Sequence, residues 1–270
     1  MVEEKIKFFY PIKTLPISLT GESCFLNCLH CSGSYLKEMK TKEKAFEILK
    51  NNDYSSVLIS GGFNIKGGLD IIPNLDYLKQ VKSFGKKIIL HSGFIKKSEI
   101  DLIKGIVDVI SFDFIYDKET IQEVYHLPYD GEDYKKEYLL LRRNIKTIPH
   151  IIVGLFRGKI KGEYEIVDVL AEIKPNIVVF LILVPTKGTP FQDVTLPDIE
   201  EIKKFFQFSK RKLRLTNFVL GCMRPKGILR DEIEIAAYES GFDGFVNPGN
   251  KLKSIIKDPE IYYECDVLYY

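Results

Sequence analysis

Short apolar runs alternate with amphipathic stretches from one end of the chain to the other. Eight runs have the length and aliphatic, β-branched character of buried strands: residues 16–20, 56–60, 87–91, 107–113, 149–155, 177–184, 215–220 and 242–246. The run at 177–184 is the longest, too short to span a bilayer and right for a strand covered on both faces. Between the runs lie stripes of helical period. Tyr164, Val167, Leu170 and Ile173 form one, and Ile233, Ala236 and Ala237 form another, closed by Gly241. Ile199, Ile202 and Phe206 form a third, behind Thr195-Leu-Pro-Asp198, which reads as a capping box. Two shorter helical patterns fall within 117–143. Alternation of this kind predicts an α/β protein with a parallel sheet. Eight such units in this length predict a TIM-type (βα)8 barrel or a near-complete one. No linker-like composition break interrupts the chain, so residues 1–270 are expected to be a single domain. Residues 249–270 are expected to form a C-terminal helix and tail covering the barrel mouth.

In such a barrel the C-terminal ends of the strands carry the chemistry. Four residues after the first strand run, in the first βα loop, stands Cys24-Phe-Leu-Asn-Cys28-Leu-His-Cys31. The chain has five cysteines, an odd number, and no secretory signal, which argues against a disulfide framework and for metal binding. A structural zinc site takes four ligands, usually as two separated pairs, and only one trio is present. A four-iron cluster suits the trio better, because three thiolates hold three irons and leave one open to a small molecule.

Composition changes the picture little. Hydrophobic residues make up 45% of the chain, enough for a large core. Lys and Arg total 39 against 37 Asp and Glu, so no basic footprint points to nucleic acid. Residues 1–10 contain Glu3, Glu4, Lys5 and Lys7 with no apolar h-region after them, and no run has membrane-spanning length. A soluble, cytoplasmic protein is expected.

The C-x3-C-x2-C spacing of Cys24, Cys28 and Cys31 resembles the signature of the radical S-adenosylmethionine (SAM) enzymes. The resemblance implies a 4Fe-4S cluster on these three residues, SAM chelated at the open iron, and cleavage to a 5′-deoxyadenosyl radical that abstracts hydrogen from a C–H bond. His30, before the third cysteine, takes the place of an aromatic residue common in that family near the adenine. The second strand run ends in Ser60-Gly61-Gly62-Phe63, similar to the family's Gly-Gly-Glu-like segment for the SAM amino group, with Phe63 in place of the acid. Ser111 and Asp113, closing the fourth run, are placed to meet the ribose. Gly154 opens a glycine-rich loop that ends at Glu163 and resembles the family's fifth-strand motif, and Arg157 within it reads as a surface residue. Val184 opens Pro185-Thr-Lys-Gly188-Thr-Pro190, which resembles the biotin synthase branch at a turn beside the adenine; the resemblance implies that Gly154 and Val184 line the SAM site. His91 closes the third run as a substrate contact, whereas His150, inside a strand run, reads as a packing residue.

Gly221-Cys222-Met-Arg224-Pro225, with the later Ser240-Gly-Phe-Asp-Gly244, is similar to archaeal biotin-synthase-related proteins, a group in which we suspect a component of a two-protein lipoyl synthase. That implies sulfur insertion, with Cys222, Arg224 and Cys265 as ligands of a second iron–sulfur cluster. It also implies a ferredoxin-like electron donor, a second radical SAM subunit, and a lipoyl-carrier protein or octanoyl-lysine substrate. Two readings stay open beside it. One is a radical outcome without a second cluster, such as methylation or rearrangement. The other is a non-enzymatic zinc-binding module.

Overall fold

The computed structural model describes residues 5–51 and 53–270; Glu3 and Glu4, read above against a targeting segment, lie outside them. The strands are β1 Lys7–Phe9, β2 Thr14–Ser18, β3 Lys40–Thr41, β4 Ser56–Ser60, β5 Lys87–His91, β6 Val109–Asp113, β7 Thr147–Val153, β8 Ile177–Ile182, β9 Asn217–Leu220, β10 Gly244–Val246 and β11 Glu260–Tyr262. The helices are α1 Lys42–Asn51, α2 Leu75–Ser83, α3 Lys97–Ile103, α4 Lys118–Val124, α5 Gly131–Arg142, α6 Glu163–Ile173, α7 Ile199–Lys212, α8 Ile228–Glu239 and α9 Asn250–Ile255. The eight expected runs are β2 and β4 to β10, displaced by two residues at β2 and β7. The two weak patterns of 117–143 are α4 and α5.

All strands run parallel in one sheet, in the order β11-β1-β10-β9-β8-β7-β6-β5-β4-β2-β3. β1 and β2 point the same way with four residues between them. β1 pairs with β10 and β2 pairs with β4, so residues 7–18 join the two ends of the series into a near-complete barrel. β10 and β2 are not themselves paired, which is why the barrel is not the regular eightfold one.

Period-2 alternation sorts the side chains. Outward residues such as Val57, Ile59, Ile88, Leu90 and Phe180 are fully buried beneath the helices. α7 seats Phe205 and Phe206 against Phe180, each fully buried; burying a phenyl ring contributes roughly 1.5–3 kcal/mol. Its cap is Asp198, whose side chain accepts from Glu201 N at 2.7 Å, and not Thr195. Lys210, Arg211 and Lys212 end the helix, where cations match the dipole.

Inward residues form a second apolar cluster, which includes Phe9, Ile89, Val109, Ile148, Val179 and Val219. Val267 of the C-terminal tail belongs to it and is fully buried. The tail enters at the N-terminal ends of the strands: Cys265 N donates to Thr14 Oγ1 at 2.9 Å, and Ser55 Oγ donates to Glu264 Oε1 at 2.8 Å. It is a floor to the barrel and not the lid expected from sequence. β11, paired in parallel with β1, delivers the chain to that end.

Candidate active site

The cysteine loop leaves the C-terminal end of β2, the rim expected for chemistry. Leu19 N donates to Ser60 O at 2.8 Å, which ties the start of the loop to β4. Cys31 N and Ser32 N both donate to Cys28 O, closing a turn that brings the second and third cysteines together. Asn27 and Ser32 hold positive φ, so the loop bends at two points that L residues rarely occupy. Cys28 is buried, and Cys24 and Cys31 are half-buried. A hydrogen bond from Cys28, with His30 beside it, pulls the Cys31 thiol below its ordinary range despite burial. The same bond, together with burial, pushes Cys28 up. Of the two, Cys31 is the more acidic thiol, the property a metal-binding thiolate needs.

The Gly61-Gly62 segment docks on this loop. Gly62 N donates to Thr20 Oγ1 at 2.7 Å, and Phe25 N donates to Phe63 O at 3.1 Å. A Cβ on Gly62 would stand 1.9 Å from Ser23 O and 2.3 Å from Cys24 Cα. The glycine lets β4's loop press directly on the first cysteine.

His30 and Tyr125 face each other at 5.3 Å between ring centroids. His30 Nδ1 and the Tyr125 hydroxyl are both buried without hydrogen-bond partners. Buried polar atoms left open beside three thiols suit a group that would accept from them. No three His, Cys, Asp or Glu side chains among the described residues converge as ligands of a single ion. The donor set, three thiols on one rim loop, fits an iron–sulfur cluster.

Below the rim the barrel is hollow. Inward residues at mid-height, including Pro16, Leu58, His150 and Leu181, remain partly exposed while their outward neighbours are fully buried. His91 Nε2 stands 3.3 Å from Asp113 Oδ2, and His91 Nδ1 stands 3.2 Å from Ser60 Oγ. Burial opposes charge on both members of the His91–Asp113 pair, yet each partner prevails: His91 is raised and Asp113 lowered. Ser111 lies in register with His91, and His150 with Asp113. His150, lowered by burial, is therefore a lumen residue and not a packing histidine. Its place two residues after inward Ile148 is the signal that alternation along β7 offered. Cys222 is exposed, yet enclosure pushes its thiol up, as befits the wall of a recess. Cys265, on the tail, packs against the inward apolar cluster, and its thiol donates to Asp266 Oδ1 at 3.3 Å.

Other expected residues are committed elsewhere. Arg224 is buried, donates to Glu234 Oε1 at 2.7 Å and to the carbonyls of Gly221, Val246 and Asn247, and so fastens the β9 and β10 loops to α8. It has no donor turned to the lumen thiols. Gly154 N donates to buried Glu163 Oε1 at 2.7 Å, so that amide is engaged within the loop. Gly158 is needed because a Cβ there would stand 1.8 Å from Thr195 O. Arg157 lies on the surface, paired with Glu123 at 3.3 Å. Val184 O accepts from Thr186 Oγ1, and Thr186 meets the Tyr35 hydroxyl at 3.2 Å. Tyr35, which sequence reading missed, thus bridges the cysteine loop and the β8 loop over the mouth; nothing local to it in sequence marked that role.

No family model and no curated protein sequence matches the chain. Solved structures do. Methylornithine synthase (PylB) superposes with a TM-score of 0.63 at 12% identity, over 91% of this chain and 72% of that one. The FeFe-hydrogenase maturase HydG from Carboxydothermus hydrogenoformans gives 0.65 at 16% identity, over 90% and 59%. Streptococcus suis SuiB, solved bound to S-adenosylmethionine, gives 0.58 at 14% identity, over 93% and 57%. The fold is the one these three structures share. This chain spans under two thirds of the length of HydG and SuiB. No helix among the described residues is long and apolar enough to cross a membrane.

Proposed function

We propose that the chain is a radical SAM enzyme that abstracts hydrogen from a C–H bond of a substrate held in the barrel lumen. The observation that carries this reading is the thiol trio on the C-terminal rim, with Gly62 seated on Cys24, above an interior that sets His91, Ser111, Asp113 and His150 among apolar side chains. Cys24, Cys28 and Cys31 would hold a 4Fe-4S cluster. When bound, such a cluster supplies the electron that splits SAM and so provides the radical. The chain's own residues do the rest. The Cys28–Cys31 pair supplies one thiol of lowered pKa, Gly62 brings the β4 loop's backbone against Cys24, and Ser111 and Asp113 at the end of β6 would bind the ribose hydroxyls.

Sulfur insertion, of the lipoyl or biotin synthase type, is the second reading. It is supported by two further thiols, Cys222, exposed after β9, and Cys265, packed against the inward apolar cluster. Without Arg224 the ligand set is two thiols, which a partner subunit or a small-molecule thiol would have to complete. That reading calls for a second radical SAM subunit, a ferredoxin-like donor and a lipoyl-carrier or octanoyl-lysine substrate.

Anaerobic reconstitution with iron and sulfide, followed by SAM and a reductant, tests both. About four irons per chain and release of 5′-deoxyadenosine are expected for hydrogen abstraction. Clearly more iron, falling to about four in Cys222→Ala, favours sulfur insertion. A colourless protein holding one zinc refutes both.

A further inference from the structure

A groove of about 390 Å³ opens on the rim between the β4 loop, the start of α3 and the middle of α5, room enough for a small molecule. Loops and helices supply every residue that lines it, and no strand does, so it is separate from the lumen. Its base is apolar. Leu69 and Ile95 are buried there, beside the stacked rings of Phe94 and Tyr129, whose centroids lie 4.5 Å apart. Ile65 is 64% exposed and adds apolar surface that no part of the chain covers.

The charged groups around this base are of both signs, and three of them are not spent on one another. Glu137 on α5 is half-buried; its Oε1 accepts from Ile95 N at 3.0 Å. Its Oε2 has no hydrogen-bond partner among the described residues, yet it is not among the sealed polar atoms, so it is open to the groove. Burial raises Glu137 to about 7, with no cation close enough to oppose the shift. Lys66 and Lys96 are exposed, and neither ammonium enters an ion pair among the described residues. The remaining acids are engaged: Asp70 Oδ1 accepts from Asn64 Nδ2 at 2.7 Å, and Glu99 Oε2 from Lys96 N at 2.9 Å.

A carboxylate oxygen, two ammonium groups and an apolar base are complementary to a zwitterion that carries hydrocarbon. An amine alone leaves the lysines unmatched, and an acid alone leaves Glu137 unmatched. We infer that the groove binds a free α-amino acid with a large apolar side chain. Its ammonium donates to Glu137 Oε2, its carboxylate accepts from the lysine pair, and its side chain lies against Phe94 and Tyr129. Charge-assisted hydrogen bonds of this kind are the strong ones. The inference goes beyond the proposed function and does not rest on it, because no cysteine and no lumen histidine lines the groove.

The test uses the full chain at about pH 8, above the titration of Glu137, both metal-free and reconstituted with iron in the presence of SAM without reductant. Ligand-observed NMR gives the dissociation constants of L-phenylalanine, 2-phenylethylamine and 3-phenylpropanoate. L-phenylalanine is expected to bind at least about tenfold more tightly than either of the others. Glu137→Gln, whose amide oxygen still accepts from Ile95 N, should bring the amino acid down to the level of phenylpropanoate. Lys66→Met combined with Lys96→Met should bring it down to the level of phenylethylamine. The wild-type ratios need no variant, so a misfolded variant does not protect the inference. Equal affinities for the three probes, no binding of L-phenylalanine at millimolar concentration, or folded variants that keep the wild-type ratios each overturn it. Preference for the amino acid in protein that takes up no iron overturns the proposed chemistry alone, and loaded protein without that preference overturns the groove site alone.

Discussion

Gly62→Ala tests how tightly the β4 loop holds the cysteine rim. The added Cβ would stand 1.9 Å from Ser23 O, 2.3 Å from Cys24 Cα and 2.6 Å from Ser23 C. All three are backbone atoms, so no side-chain rotamer can relieve the clash. Ordinary contact begins near 3.4 Å, so the two backbones must part by roughly 1.5 Å. Overpacking of this kind costs about 1–3 kcal/mol. The larger effect falls on the metal site, because Cys24 moves with its backbone, and a thiolate displaced by about 1 Å no longer shares one centre with its two partners. Gly61→Ala is the control. There the nearest atoms are Leu69 Cδ2 at 3.1 Å and Thr20 Oγ1 at 3.3 Å, both side-chain ends that can yield. Iron per chain after anaerobic reconstitution and the urea midpoint of the metal-free protein are the two readouts. Gly62→Ala is expected to fold, to lose about 1–3 kcal/mol, and to retain little iron, while Gly61→Ala stays near wild type. A Gly62→Ala protein with wild-type iron content and an unshifted midpoint would refute the docking argument.

Three further outcomes follow from buried polar groups. Arg224→Met removes a guanidinium 2% exposed and leaves Glu234, fully buried, with only Arg230 and Gly249 N as partners; about 3 kcal/mol of stability should be lost in urea unfolding while iron uptake persists. Asp113→Asn removes the carboxylate that holds His91 up against burial, so His91 should titrate below its ordinary range by NMR; an unchanged titration would contradict the pairing. Burial raises Glu163 to about 7 from an ordinary 4.5, so the folded state binds the extra proton and the stability this contributes is lost as pH rises from 4.5 through 7. That change is about 3 kcal/mol. Glu163→Gln, neutral like the protonated acid, should stay near wild type at pH 5 and should show a flatter pH dependence in denaturant titrations.

Much of the fold was legible because buried parallel strands must be apolar on both faces, and short apolar runs such as 56–60 and 87–91 carry that requirement locally. The three-residue strands β1 and β11 were not legible. Their pairing partners lie far away in sequence, and three residues hold too little pattern to stand out. The cap of α7 was misplaced by three residues because both Thr195 and Asp198 can cap, and only the backbone turn selects Asp198.

The site divides along the same line. The sequence by itself determined the thiol trio, the glycine pair and their place after the first and second barrel strands, because ligand spacing and backbone approach are local properties of a few adjacent residues. Only the tertiary structure decided that Arg224 turns into Glu234, that His150 and Tyr35 join the lumen and mouth, and that the tail closes the floor and brings Asp266 inside. Those outcomes depend on which strand pairs with which and on which buried charge finds a partner first, and residues 10 to 250 positions apart settle them together.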